Sequence, residues 1–352
     1  MPNPTLTRAI DAVACGRDLS TEETGAVLAE IMHGEVSEVQ IAAFLIALRT
    51  KGETVAELAG LAQTMRELAV HVPTDRHDLL DTAGTGGGRS TFNVSTTAAL
   101  IAAGAGCAVA KHGNRSATSR SGSADLLEAL GARIDLGPEA VARCIAESGF
   151  GFMFAPAHHQ ATRFVVPVRR ELAVRTIFNL LGPLTNPAGA RRQLIGVSDP
   201  GFLETMAGAL AQLGVDRALL VSSEDGLDEI SSGAPTLVVE VNGDELRSYT
   251  LDPAGAGVAP DGGEQLAGGT PEENALLARA IIEGERPGGR PPAGEALAVI
   301  NAGGAIYAAG AVASVAEGVE AARAAIADGR AAAALEGYLA ASVANAPQEA
   351  GR

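Results

Sequence analysis

The sequence of 352 residues has no apolar run of the roughly 18 residues needed to cross a bilayer. Its N-terminus shows no charged and then apolar leader. It contains only three cysteines, Cys15, Cys107 and Cys144, without metal-ligand spacing or a paired framework. These absences argue against a membrane span, an export signal and a disulfide scaffold. We expect a globular protein of the cytoplasm, with its thiols buried in a reducing compartment.

Positive charge is also scarce. The 26 lysines and arginines are outweighed by 42 acidic residues, which gives a net charge of −16. Such a surface repels phosphate backbones, so we expect no nucleic-acid partner, and a substrate with several phosphates needs a local cationic site or a metal. Only two of the basic residues are lysines. Lys51 stands beside Gly52 in an expected turn, whereas Lys111 lies inside the most distinctive motif of the chain.

The pattern of apolar residues changes along the chain. Residues 20–23 and 54–57 form capping boxes, and each precedes apolar residues at helical spacing, so the N-terminal part is expected to be helical. From about Leu79, short apolar runs alternate with helical stretches, which predicts an α/β fold with a central, mostly parallel sheet flanked by helices. The runs expected to form strands are residues 79–81, 107–110, 151–154, 194–197, 218–221 and 237–241.

This change predicts two domains. A small helical domain comprises residues 1–72 and is completed by inserted, Arg-rich helices at about 166–192. Residues 73–165 and 193–345 form a large α/β domain. Residues 252–272 are rich in Gly, Pro and Ala and are expected to form a loop.

A glycine cluster at residues 84–88 follows the first expected strand and precedes a helix that begins near Val94. Glycines let backbone N–H groups approach phosphate oxygens, and a helix N-terminus favours anions. Ser95 and Thr96 would add hydroxyl donors. The alternative is a tight strand-to-helix turn without a ligand.

A second polar segment, residues 111–119, follows the next strand and leads to Ser123. It combines Lys111, His112, Asn114 and several hydroxyls, and anion-binding residues belong at the carboxyl ends of strands in open α/β sheets. A solvated polar loop is the alternative. Two such loops after neighbouring strands favour a phosphate site.

Two further segments carry charged side chains. Asp228 and Glu229 lie in an acidic turn at residues 225–229; adjacent carboxylates suit Mg²⁺, although by itself this turn is more typical of an acidic surface loop. His158 and His159 lack ligands at zinc spacing. The arginines at 169, 170 and 175 could bind a substrate carboxylate through a bidentate fork, or form salt bridges on a helix face.

These four segments, in this order, resemble the anthranilate phosphoribosyltransferase family over nearly the whole chain. The resemblance is strongest at residues 111–130, 167–187 and 225–231. It implies a helical domain, an α/β domain that binds phosphoribosyl pyrophosphate, an active site between them, and a homodimer. It also implies two Mg²⁺ ions and the transfer of a phosphoribosyl group to the amine of anthranilate in tryptophan biosynthesis.

The resemblance also implies roles for individual residues. Catalysis would fall to Lys111, His112, Asn114 and Arg169. Phosphoribosyl pyrophosphate would contact residues of the two polar loops, namely Gly84, Gly87, Gly88, Thr91, Asn93, Ser95, Thr96, Lys111, Ser119 and Ser123. Anthranilate would lie near Gly84, His112, Asn114, His159, Arg169 and Pro183, with its carboxylate toward Arg169. Metal would be held by Ser95, Asp228 and Glu229.

The sequence departs from the family pattern in three places. The glycine loop resembles the family's loop with its aspartate deleted, so that Gly88 follows Gly87 directly. The usual His-Pro-Ala-Met is His-Gln-Ala-Thr at residues 159–162, and Ala173 replaces a glycine.

Several alternatives stay open. They are a related transferase with another aromatic amine as acceptor and an inactive paralogue that binds a partner. A pyrimidine nucleoside phosphorylase would lack the paired Asp228 and Glu229, and a nucleic-acid-binding relative would need a basic groove that the net charge disfavours.

Overall fold

A computed structural model describes residues 1–116, 120–259 and 267–347 of the chain. The N-terminal part is helical, as predicted, with α1 (Pro4–Ala14), α2 (Thr21–Met32), α3 (Glu38–Lys51) and α4 (Val55–Glu67). Both capping boxes are formed, because the hydroxyls of Ser20 and Thr54 accept the N3 backbone N–H groups while Glu23 and Glu57 bond back to the cap. No helix among the described residues combines enough length and apolarity to span a membrane.

The described residues form one seven-stranded sheet in the order β3-β2-β1-β4-β5-β6-β7. Its strands are β1 (Leu80–Gly84), β2 (Val109–Gly113), β3 (Phe150–Phe154), β4 (Arg192–Gly196), β5 (Arg217–Ser223), β6 (Thr236–Asn242) and β7 (Glu245–Leu251). Strands β1 to β5 are parallel to one another, whereas β6 runs antiparallel to both β5 and β7. The predicted fold class, a small helical domain and a mostly parallel α/β domain, is confirmed.

Further helices flank the sheet and follow the strands. They are α5 (Val94–Gly104), α6 (Ser123–Ala129), α7 (Pro138–Ser148), α8 (Ala155–His158), α9 (Val166–Leu172), α10 (Phe178–Leu181), α11 (Leu203–Gln212), α12 (Pro271–Ile282), α13 (Glu295–Ala308), α14 (Val315–Ala327) and α15 (Arg330–Ala344). Strand β7 was not predicted, because almost every residue in it is exposed and no apolar alternation marks it.

Two apolar cores lie on opposite faces of this one sheet. Successive residues of a strand point to opposite faces, so Leu194 and Leu219 join one core while Ile195 and Leu220 join the other. The first core contains α5 and α12 to α15. The second contains α1 to α4, the segment around residues 165–184 and α11. The N-terminal helices therefore share a core with the sheet, and α4 reaches it through α11, which packs on β5 and β6.

The inserted segment is less regularly helical than its sequence indicates. It consists of α9 and α10 joined to 3₁₀ turns at Gln160–Phe164 and Gly182–Leu184. Helix α9 ends at Ala173, whose φ of 52° is left-handed, and no other non-glycine residue in the described part of the chain has a positive φ. A glycine would adopt this conformation without strain, whereas alanine carries a cost of about 1 kcal/mol. The conformation at this helix end therefore favours glycine over alanine.

Candidate active site

The glycine loop follows the carboxyl end of β1 and packs against the acidic turn at residues 225–229. Gly86 and Gly87 have φ angles of 66° and 85°, which only glycine adopts readily. The Gly86 N–H bonds to the Asp228 carboxylate. A Cβ on Gly88 would lie 2.4 Å from Oδ1 of Asp228, so the loop backbone packs directly against the acidic residue. The glycine loop thus places backbone where a side chain could not fit.

Helix α5 begins directly behind this loop. Its first turn carries Ser95 and Thr96, and the Thr96 hydroxyl is buried without a hydrogen-bond partner among the described residues. Asn93, the residue before the helix, makes no side-chain cap. Backbone N–H groups at such a helix start remain available to an anion.

Lys111 is the central residue of β2 and is only 1% exposed. Its Nζ donates to the carbonyl oxygen of Thr82, to the Thr82 hydroxyl at 3.1 Å and to the Ser95 hydroxyl at 3.5 Å. Burial lowers the pKa of Lys111, and the nearby carboxylates of Asp81 and Glu229 oppose that shift. The lysine therefore links β2 to β1 and to the start of α5.

Asp228 and Glu229 follow β5 and reach the same place. Burial first, and then the neighbouring Asp228 carboxylate, raises the pKa of Glu229 to about 8. The Ser95 backbone N–H bonds to the Glu229 carboxylate, so the acidic turn touches the start of α5. Two adjacent carboxylates and a hydroxyl are oxygen ligands of the kind that Mg²⁺ prefers. The three residues predicted to bind metal are thus brought together, and their chemistry fits that ion.

Two buried amides that sequence analysis missed hold these elements. Asn274 of α12 donates from Nδ2 to Oδ1 of Asn93 at 2.9 Å. Asn301 of α13 accepts the Ile230 N–H and donates to the Ile230 carbonyl oxygen, each at 2.9 Å, and so fixes the residue next to Glu229. The one signal in the sequence that could have identified Asn301 is that it is a polar residue within a strongly apolar helix.

His112 and His159 form the other side of the site. Their ring centroids are 5.1 Å apart. His112 Nδ1 bonds to the Gly182 carbonyl oxygen at 3.2 Å, and His159 Nε2 bonds to that of Thr185 at 3.1 Å. Burial lowers the pKa of His112 to about 3 and that of His159 to about 4, so both rings are neutral near pH 7. Pro183 lies buried between the two accepting residues.

The arginines of the insertion do not form one cluster. Arg169 is half-buried 5.7 Å from the Phe178 ring centroid, near Asn179, and pairs with no carboxylate among the described residues. Burial lowers its pKa. Arg170 is exposed. Arg175 instead lies against the glycine loop, where it bonds to the Ser198 hydroxyl at 2.9 Å and to the Gly86 carbonyl oxygen at 3.4 Å. Arg169 is therefore the arginine available to a substrate carboxylate.

The remaining predicted residues surround this region. Asn114 is exposed, and its carbonyl oxygen accepts from the Ser123 hydroxyl at 3.2 Å. Thr91 lies partly buried before α5, and Ser119 falls outside the described residues. His158 bonds to the Val70 carbonyl oxygen at 2.8 Å. No group of three or more His, Cys, Asp or Glu residues that could hold a metal ion occurs in the described part of the chain.

The fold and the site together define the class. A helical bundle joined to a parallel sheet, with glycine, lysine and carboxylate groups at the strand ends, is the architecture of an α/β glycosyl transferase. Residues 76–332 match the family model described as "Glycosyl transferase family, a/b domain", and residues 7–69 match its "helical bundle domain".

Comparison with individual proteins identifies the family to which the chain belongs within this class. An anthranilate phosphoribosyltransferase of Rubrobacter xylanophilus is 51% identical over 95% of this chain and 96% of its own. The enzyme of that name from Thermus thermophilus superimposes with a TM-score of 0.89 at 47% identity, covering 95% of this chain and 99% of its own. The Saccharomyces cerevisiae enzyme, solved with PRPP and Mg, gives a TM-score of 0.87 at 26% identity over 97% and 98% of the two chains. The chain belongs to the anthranilate phosphoribosyltransferase family.

Proposed function

We propose that this protein transfers the phosphoribosyl group of phosphoribosyl pyrophosphate to the amine of anthranilate in tryptophan biosynthesis. The products are N-(5-phosphoribosyl)anthranilate and pyrophosphate. The observation that carries the proposal is the convergence of the glycine loop, Lys111, Ser95 and the Asp228–Glu229 pair at the carboxyl ends of β1, β2 and β5. The yeast relative was solved with both PRPP and Mg, and also with 4-fluoroanthranilate, which supports the same pair of substrates here.

The phosphate end of the substrate would lie against the first turn of α5. Backbone N–H groups of the glycine loop and the hydroxyls of Ser95 and Thr96 would bind pyrophosphate oxygens, and Asn93 would face the ribose. Lys111 would add a fixed positive charge near the leaving group. Ser95, Asp228 and Glu229 would hold Mg²⁺, for which we propose two ions. Bound Mg²⁺ supplies neutralisation of pyrophosphate charge, which makes the leaving group a better one.

At the other end, Arg169 would bind the carboxylate of anthranilate in a bidentate manner. The neutral rings of His112 and His159 and the apolar side of Pro183 would line the aromatic ring. The amine nitrogen would attack C1 of the ribose as the bond from C1 to pyrophosphate breaks, and the amine then loses a proton. An aromatic amine is already a neutral nucleophile, so positioning and electrostatics would supply much of the acceleration, on the order of 7–11 kcal/mol.

The proposal also includes the oligomeric state and the cellular location of the enzyme. We propose a homodimer, as the family resemblance implies. Exposed apolar side chains on the helical part, Val39 at 78% and Val166 at 44%, are consistent with a covered surface. The free cysteines, of which Cys107 and Cys144 are buried, support a reducing cytoplasm.

The test follows anthranilate fluorescence with purified protein, phosphoribosyl pyrophosphate and Mg²⁺. We expect the fluorescence to decay only when all three are present, with pyrophosphate released in equal amount. Circular dichroism controls for the fold. If the folded protein gives no decay but releases pyrophosphate with another aromatic amine, then that amine and not anthranilate is the acceptor. No release with any amine would indicate an inactive paralogue.

A further inference from the structure

The turn at residues 182–185 is bonded in an unusual way. Each of its four successive backbone carbonyls accepts a hydrogen bond from a side chain that belongs to a different part of the chain. The donors, in order along the turn, are His112 Nδ1 at 3.2 Å, Gln193 Nε2 at 2.9 Å, Arg66 Nε at 2.7 Å and His159 Nε2 at 3.1 Å. The turn therefore links α4, β2, β4 and the segment after α8.

Two of these bonds determine the tautomers of the His112 and His159 imidazoles. A carbonyl oxygen can only accept, so the bonded nitrogen of each ring must carry the proton. A neutral His112 is then protonated at Nδ1 and has a free lone pair at Nε2. That Nε2 atom is buried and has no hydrogen-bond partner among the described residues. The turn thus presents His112 to the site as a hydrogen-bond acceptor.

Arg66 is the donor that needs an explanation. It belongs to α4, and burial lowers its pKa to about 10. It pairs with no carboxylate among the described residues; besides Leu184, its guanidinium reaches the Leu213 carbonyl oxygen at 3.5 Å. Leu213 is the C-cap of α11, where a positive charge is favourable, and Leu184 is the last residue of the 3₁₀ turn Gly182–Leu184. Through these two hydrogen bonds, the buried guanidinium of Arg66 holds the turn against both α4 and α11.

We infer that Arg66 and Gln193 are positioning residues, which hold the 182–185 turn so that His112 and His159 present fixed tautomers to the acceptor substrate. The acceptor half of the site then depends on a residue of the N-terminal helices that touches neither substrate. The effect should fall on anthranilate, because the four side-chain donors to this turn include both histidines of the acceptor side and none of the residues expected to bind phosphoribosyl pyrophosphate. The inference rests on the proposed function for the identity of the acceptor.

The first test replaces Arg66 with Met, which keeps the length of the stem and removes every donor. We expect the KM for anthranilate to rise on the order of tenfold, because a small displacement of positioning groups is costly, while the KM for phosphoribosyl pyrophosphate stays within about twofold. Gln193→Met should shift the same KM, because it removes the donor to the adjacent carbonyl. Arg66→Lys should fall between wild type and Arg66→Met.

Arg192→Met is the matched control. Arg192 donates to the Ala309 carbonyl oxygen at the end of α13, so this variant also removes an arginine from a helix C-terminus but leaves the turn alone. We expect a loss of stability without the KM split. Equal increases of both KM values in Arg66→Met and Gln193→Met would assign these residues to fold stability alone and overturn the inference.

A second readout does not depend on turnover. Nitrogen-15 NMR of the histidine side chains should show His112 protonated at Nδ1 and unprotonated at Nε2, and a mixture of tautomers in Arg66→Met. An unchanged histidine spectrum in that variant would also overturn the inference. If wild-type protein shows the expected tautomers, Arg66→Met shows the mixture, and anthranilate is not turned over, the proposed function fails while the role of Arg66 in fixing the tautomers stands.

Discussion

Arg169 is the residue on which the choice of acceptor depends most directly. It is half-buried, it has no acidic partner among the described residues, and it lies one residue from the exposed Arg170 on the same helix. A buried guanidinium without a carboxylate is available to bind one from a ligand. The adjacent exposed arginine offers a control with the same chemistry.

We expect Arg169→Ala to raise the KM for anthranilate by about 10²-fold, in keeping with about 3 kcal/mol for a charge-assisted pair. The KM for phosphoribosyl pyrophosphate should change little. Steady-state kinetics with each substrate varied in turn checks this result, and Arg170→Ala should resemble wild type. A similar rise in both KM values would remove Arg169 from the acceptor site.

The neutral histidines make stability depend on pH in a defined direction. The pKa of His112 is about 3 in the folded protein, against 6.5 for an ordinary histidine. Between these values the unfolded chain binds a proton that the folded protein does not bind, so stability falls as pH drops from about 6.5 toward 3.

We expect His112→Asn, which keeps a donor for the Gly182 carbonyl, to reduce this slope by up to about 1.4 kcal/mol per pH unit. Urea unfolding at pH 7, 6 and 5 measures the slope. His77→Asn, at an exposed loop position, is the control. An identical slope in His112→Asn and wild type would show that His112 titrates as an ordinary histidine in the folded protein.

At the scale of elements, local patterns were predicted well and long-range ones were not. The N-terminal helices were predicted because a capping box and an apolar stripe lie within a few residues of each other. Strand β7 was not predicted because it is held by pairing with β6, while its own side chains face solvent. The insertion proved less helical because Ala173 ends α9 in a left-handed conformation.

Helix α12 offers a test of how one element positions another. Asn274 near its start donates to Asn93, which directly precedes α5, and accepts the Gly269 N–H at 2.8 Å. Sequence analysis assigned it no role, since Asn274 and Asn93 lie 181 positions apart along the chain. The bond places a residue expected to face the ribose.

We expect Asn274→Asp to raise the KM for phosphoribosyl pyrophosphate on the order of tenfold, because an oxygen replaces the donor that faces Asn93 and costs about 1–3 kcal/mol. The KM for anthranilate should stay near wild type. Leu276→Asp adds the same charge on the same helix at a position that is 72% exposed, and should have little effect. If both variants change the KM alike, charge rather than the lost bond is responsible.

For the whole molecule, the main fact is that helical and α/β parts share a core across one face of the sheet. The side chains of α11, among them the fully buried Leu210, lie between α4 and the strands in that core. The division at residue 72 therefore remains a prediction about domains, whereas the packing joins the two parts. Cooperative unfolding follows from such a shared core.

We expect Leu210→Ala to lower the free energy of unfolding by about 2–5 kcal/mol through the cavity that it leaves. Hydrogen exchange should then accelerate together in α4 and β5, and calorimetry should show one transition. Leu276→Ala, at an exposed site, controls for the loss of a leucine. Two separate transitions, with only one of them shifted, would show that the parts unfold independently.

The site itself was predictable where its residues stand in distinctive runs. Lys111, Ser95, Asp228 and Glu229 lie in motifs at the ends of strands, and the structure brings them together. Residues such as Arg66 and Gln193 were not predictable, because they bond to backbone carbonyls of a distant segment, and no side-chain pattern records such a partner.

The 182–185 turn has a consequence for anyone who wishes to redesign this enzyme. Its conformation is specified by donors from four separated stretches of the chain, so it is not a portable loop. Grafting the acceptor pocket onto another scaffold would require transplanting those donors with it. Conversely, libraries that randomise the residues lining the pocket should retain His112 and His159, because these two lining residues are also donors to the turn.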